Sequence, residues 1–63
     1  MLFRSREAEI LKQLAEGDTR IAISETLQVS RHTVDSHIRN IYRKLQVHNV
    51  SGAIKKAAEM HII

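Results

Sequence analysis

Four histidines, His32, His37, His48 and His61, and the consecutive run Asp35-Ser36-His37 carry the side chains suited to metal ligation or a nucleophile relay. Their spacing supports neither. A helical zinc site places two histidines four residues apart with a carboxylate to complete the set, and no pair stands so here. Successive residues on a helix point about 100° apart, so Asp35, Ser36 and His37 cannot pass a proton along one line and form no triad. With no Cys there is no thiolate nucleophile, disulfide or thiolate metal site, which fits a reducing cytoplasm. No metal, no cofactor and no enzymatic activity are expected, because nothing pairs a nucleophile with a base in a pocket.

What remains is the chemistry of guanidinium and ammonium groups. Ten Lys and Arg against seven Asp and Glu give a net charge of +3. Arg4, Arg6, Lys12 and Arg20 are outweighed by Glu7, Glu9, Glu16, Asp18 and Glu25 in the first half of the chain. In the second half, Arg31, Arg39, Arg43, Lys44, Lys55 and Lys56 face only Asp35 and Glu59. All four histidines fall in that basic half and would add to it if protonated. A polyanion is the partner such an asymmetry suggests.

Elements must present these charges. At 63 residues the chain holds one domain, 1–63, since domains commonly run about 100–200 residues. A chain this small hides only about 60% of its unfolded surface, enough for a core but not for a deep pocket beside it. The 43% hydrophobic and 27% charged fractions are those of a soluble globular chain. No apolar run approaches the roughly 20 residues that cross a bilayer, and no signal peptide is recognisable.

No Pro, few aromatics and apolar residues recurring at three and four positions predict an all-α fold: a compact four-helix domain with a central helix-turn-helix and a C-terminal fourth helix. The first helix is expected over about 4–16, with Ala8, Ile10, Leu11, Leu14 and Ala15 inward, Phe3 at its entrance and Gly17 ending it. Asp18 or Thr19 caps a second, over about 20–27, that buries Ile23 and Leu27. After Gln28-Val29-Ser30, the Ser30 hydroxyl caps a third, over about 31–45. Helical stepping puts Val34, Ile38, Ile41 and Leu45 in one inward stripe and His32, Ser36, Arg39 and Arg43 on the opposite side. Asn49 caps a fourth, over about 50–61, whose Val50, Ala53, Ile54, Ala57, Ala58 and Ile62 span an arc wider than one packing contact needs. A short helix, a three-residue turn and a longer Ser-capped helix make a helix-turn-helix, whose second helix can enter a major groove.

The run Arg6-Glu7-Ala8-Glu9-Ile10-Leu11, then Ala15-Glu16-Gly17, Val29-Ser30, Thr33-Val34, His37, Asn40-Ile41-Tyr42, Lys44-Leu45 and Val47 resembles the LuxR-type (GerE-like) helix-turn-helix domain, ungapped from Arg6 to Ala57. The resemblance implies the DNA-binding domain of a transcription regulator that binds as a homodimer through its last helix, with RNA polymerase a candidate further partner. It also implies a position behind a receiver or ligand-sensing domain, so the chain is either an excised effector domain or a short stand-alone regulator; Met1 fits both. The sequence departs from the pattern at several points. Arg4 stands where Thr or Ser is frequent, so Ser5 is expected to take over the first cap. Arg20-Ile21-Ala22-Ile23-Ser24 replaces Asn-Lys-Glu-Ile-Ala, which leaves Thr19 without a Glu to close a capping box. Asp35 replaces a frequent Lys and Val50 a frequent Arg.

The residues expected to meet DNA are Thr19, Arg20, Arg31, His32, Asp35, Ser36, Arg39, Asn40, Arg43 and Lys44. Arg39 is the best base reader, since a guanidinium can donate twice to guanine O6 and N7. Arg31, Arg43 and Lys44 suit phosphates, as do backbone N–H groups near Thr19 and Arg20. Asp35 repels phosphate; it either accepts from cytosine N4 or, the preferred reading, orients Arg39 four residues on or favours the N-terminal half of the helix, and Asp35→Lys is expected to raise non-specific affinity. His37 is expected to bond to the neighbouring helix or reach phosphate, Tyr42 to be structural, and Glu7 and Glu9 to pair with basic residues of the third helix. Val50, Ile54, Ala57 and Ala58 are the expected dimer surface. The rival from another class is a small helical interaction module whose basic face docks an acidic protein.

Overall fold

The computed structural model describes residues 3–63; Met1 lies outside them. Four helices follow in order: α1 (Ser5–Ala15), α2 (Arg20–Leu27), α3 (Arg31–Leu45) and α4 (Val50–Glu59), with no strand among the described residues. α3 packs against all three others, while α2 and α4 do not touch each other. Phe3, Ile10, Leu11, Leu14, Ile23, Val34, Ile38, Ile41, Leu45, Ala53 and Ala57 form the core. All four residues of the inward α3 stripe are at most 1% exposed, which leaves the opposite side of that helix to solvent. Ala15, expected inward, is exposed: one step of about 100° past Leu14, it falls at the flank of the stripe that Ile10, Leu11 and Leu14 bury.

Caps fix where each helix starts. Thr19 Oγ1 accepts from the Ala22 N–H at 3.1 Å, Ser30 Oγ from the Thr33 N–H at 3.0 Å and Asn49 Oδ1 from the Gly52 N–H at 2.7 Å. Each hydroxyl or amide oxygen thereby satisfies a donor the helix cannot. α1 differs from expectation, because Arg4 rather than Ser5 holds the cap position and makes no side-chain cap bond. Glu7 compensates by accepting from the Arg4 backbone N–H at 3.3 Å, the acidic half of a capping box.

All four helices stop the same way. Gly17, Gln28, Gln46 and His61 take left-handed φ values of 93°, 56°, 57° and 59°. The N–H of the next residue then reaches back five positions: Asp18 to Gln13, Val29 to Ser24, Val47 to Tyr42 and Ile62 to Ala57, at 2.8 to 3.1 Å. This closure satisfies carbonyls left over at the helix end and tucks Val29, Val47 and Ile62 against the core. It also ends α4 at Glu59, two residues short of the expected end, since His61 in the left-handed region cannot continue the helix.

Candidate nucleic-acid interface

The turn after Gln28 sends the chain directly into the Ser30 cap, so α3 begins with its first turn at the surface. At about 1.5 Å per residue its fifteen residues span some 22 Å. Arg31, His32, Arg39, Asn40 and Arg43 are exposed, and Asp35, Ser36 and His37 half-buried. The stepping that buries Val34, Ile38, Ile41 and Leu45 therefore gathers the basic residues on one free face. Thr19 and Arg20, at the start of α2, flank this face: Thr19 is exposed with its hydroxyl in the cap, and Arg20 is half-buried.

Three charged groups sit differently from what periodicity suggests. Asp35 does not orient Arg39; its Oδ1 accepts from Arg20 Nη1 at 2.8 Å, tying α3 to α2. Arg20 approaches from a neighbouring helix in a direction that no spacing along α3 encodes. The Arg20 guanidinium holds the Asp35 carboxyl below its ordinary pKa, with Arg31 and Arg39 adding to the pull. Asp35 in turn pushes Arg20 further up, and Tyr42 contributes. Arg20, Asp35, Ile38, Arg39 and Tyr42 line a hollow of about 270 Å³ between the two helices.

Lys44, expected at a phosphate, instead donates to Glu7 Oε1 at 2.5 Å, and its ammonium stands 5.4 Å from the centre of the Phe3 ring. Glu7 is thus paired with α3 as expected. Its side chain is only 5% exposed. Burial pushes the Glu7 carboxyl up, but the Lys44 ammonium, the Arg4 N–H and the more distant His37 outweigh it and hold the group below its ordinary value. Glu9 does not reach α3; it pairs with Arg6 one turn back, at 3.5 Å, both side chains about half exposed. Tyr42 packs half-buried at the core edge.

On α4, Val50 and Ile54 are half-buried and Ala58 is exposed, one turn apart on a single stripe. Ala57 is fully buried in the chain's own core and offers nothing to a second copy. Periodicity could not separate it from its neighbours, because helical stepping gives a face but not what covers it.

The left-handed Gln28 and Gln46 and the Arg20–Asp35 pair were not legible beforehand. For the pair a signal did exist: opposite charges at two positions, both departing from the LuxR-type pattern.

No helix among the described residues is long and apolar enough to cross a membrane, and none of their histidines and carboxylates group as a metal site. The family model for bacterial regulatory proteins of the luxR family matches residues 1–57. The chain is 45% identical over 58 residues to the response regulatory protein YgeK of Escherichia coli K12, covering 92% of this chain and 40% of YgeK. It is 41% identical over 61 residues to the transcriptional activator protein CarR of Pectobacterium carotovorum, covering 97% of this chain and 25% of CarR. It therefore spans 40% or less of the length of these relatives. The structure of the transcription factor GerE superposes with a TM-score of 0.93 at 34% identity, covering 98% of this chain and 92% of that one. The response regulator ChrA superposes with the same TM-score at 37% identity, over 95% of this chain and 30% of ChrA. Four helices around a capped, basic-faced α3, matched in sequence and in shape, make this chain a helix-turn-helix DNA-binding domain belonging to the LuxR family of bacterial regulatory proteins.

Proposed function

We propose that this chain binds double-stranded DNA sequence-specifically, with α3 in the major groove and two copies on a two-fold related site. The observation that carries the reading is the free face of α3: Arg31, His32, Arg39, Asn40 and Arg43 are exposed together, and the one carboxylate beside them is neutralised by Arg20. Arg39, at the middle of the helix, donates to a guanine edge. Arg31 and Arg43 meet phosphates, His32, Ser36 and Asn40 line the groove wall, and the start of α2 at Thr19 and Arg20 meets the backbone through N–H groups. Lys44 drops out of the contact set because Glu7 holds its ammonium.

The second copy meets Val50, Ile54 and Ala58. A ten-residue helix is about 15 Å long, and such a strip falls well short of the roughly 800 Å² per partner of a stable interface. Pairing therefore occurs on DNA, where two half-sites about 34 Å apart hold the copies together. A function in transcription regulation follows from DNA occupancy, in the cytoplasm and near RNA polymerase.

Fluorescence anisotropy of a labelled duplex across a salt series tests this with wild type, Arg39→Ala and Arg43→Ala. Affinity is expected to fall steeply with salt, Arg43→Ala lowering the log-log slope by about 0.9 as one phosphate contact is lost. Arg39→Ala is expected to cost about 1–3 kcal/mol on the preferred site and less on others. Absence of duplex binding at low salt, with capture of an acidic protein instead, would replace the reading with that of an interaction module.

A further inference from the structure

Asp35 is the only carboxylate on α3, and it stands on the free side of that helix rather than in the core stripe. A bare carboxylate there would be repelled by the phosphates bordering a groove. The structure removes that objection. Arg20 crosses from α2 to bond Oδ1 at 2.8 Å, and Arg31 and Arg39 lie one turn before and after it on α3. The pair uses one carboxylate oxygen, and Oδ2 accepts no hydrogen bond among the described residues. The side chain remains 33% exposed. Asp35 is therefore held by Arg20, offset in charge, and left with an unpaired carboxylate oxygen, in a hollow that Arg39 also lines.

We propose that Asp35 is a base-reading residue that selects cytosine at one position of the site, accepting a hydrogen bond from its N4 amino group while Arg20 cancels the charge. This rests on the proposed docking of α3 in the major groove. The base choice follows from the groove edges. A carboxylate only accepts, and cytosine offers a donor alone, whereas adenine sets the acceptor N7 beside its amino group, and guanine and thymine present acceptors. An amide at the same place both accepts and donates, which fits adenine N6 and N7.

The test is selection of bound sequences from a random duplex library by the 63-residue protein and by its Asp35→Asn and Asp35→Ala variants, each checked for helicity by circular dichroism. Wild type is expected to prefer cytosine roughly tenfold at one position. Asp35→Asn should shift that position to adenine and Asp35→Ala should level it, with the other positions unchanged in all three. Asp35→Asn keeps the shape of the side chain, so it reports even if the alanine variant folds poorly. If wild type shows no cytosine position, or if the variants weaken binding to all sequences by one common factor, Asp35 is only a strut between α2 and α3 and the proposal falls. If wild type enriches no sequence at all, sequence-specific DNA binding falls and takes this proposal with it.

Discussion

Lys44 and Arg43 are neighbours in sequence with opposite duties. The Lys44 ammonium serves a carboxylate that would otherwise be buried without a counter-ion, whereas Arg43 points into solvent with no ion-pair partner among the described residues. An unmatched buried charge costs more than a surface contact contributes. Lys44→Ala is therefore expected to lower stability by about 1–3 kcal/mol, the cost of leaving a buried carboxylate without its charged hydrogen-bond partner, while Arg43→Ala stays within about 0.5 kcal/mol. Urea denaturation of both variants checks this. The pH dependence has a definite sign. Because the folded state holds Glu7 below its ordinary value of 4.5, the stability it contributes is present above that pH and is lost as pH falls through the lower folded value. Thermal melts from pH 7 to pH 3 should show this loss in wild type and a smaller one in Lys44→Ala.

At the scale of elements, every helix is closed by a left-handed residue, yet only α1 uses glycine for it. A side chain in that region costs roughly 1–2 kcal/mol against the right-handed conformation, part of which the closing hydrogen bonds and the half-buried Val29 and Val47, packed on the core, offset. Gln46→Gly is expected to raise stability by about 0.5–1 kcal/mol, the strain released less the entropy lost by a freer unfolded chain. Gln28→Gly should do the same. Cap loss runs the other way: Ser30→Ala removes the acceptor for the Thr33 N–H and should cost about 1 kcal/mol. Chemical denaturation midpoints of the three variants measure both effects, and because Gln28 and Ser30 shape the turn that aims α3, their DNA affinity belongs in the same experiment.

At the scale of the whole molecule, the domain measures about 29 × 21 × 19 Å, so one copy covers little more than one face of a duplex turn. The stripe of Val50, Ile54 and Ala58, about 12 Å long, is too small to hold two copies together in free solution. Analytical ultracentrifugation should find monomers alone and two copies on a duplex carrying both half-sites. Ile54→Lys places a charge at the centre of that stripe and should reduce binding to the paired site about tenfold or more while leaving a single half-site unaffected. Equal loss on both sites would put Ile54 outside the contact between copies.

Much of this arrangement was legible from residue order, because helical spacing and caps are local. The α3 stripe from Val34 to Leu45, the caps at Thr19, Ser30 and Asn49, the end at Gly17 and the basic face opposite the core all depend on residues within a few positions of one another. Ion pairing across helices does not. Whether Asp35 meets Arg39 or Arg20, whether Lys44 serves a phosphate or Glu7, and whether Ala57 or Ala58 lies free are set by how helices far apart in the chain approach one another. Short-range periodicity and capping set the four helices and which face of the third stays free. Which charges on that face are paired within the protein and which stay unpaired follows from how the helices pack, because a long side chain's Coulomb partner is chosen by distance in space.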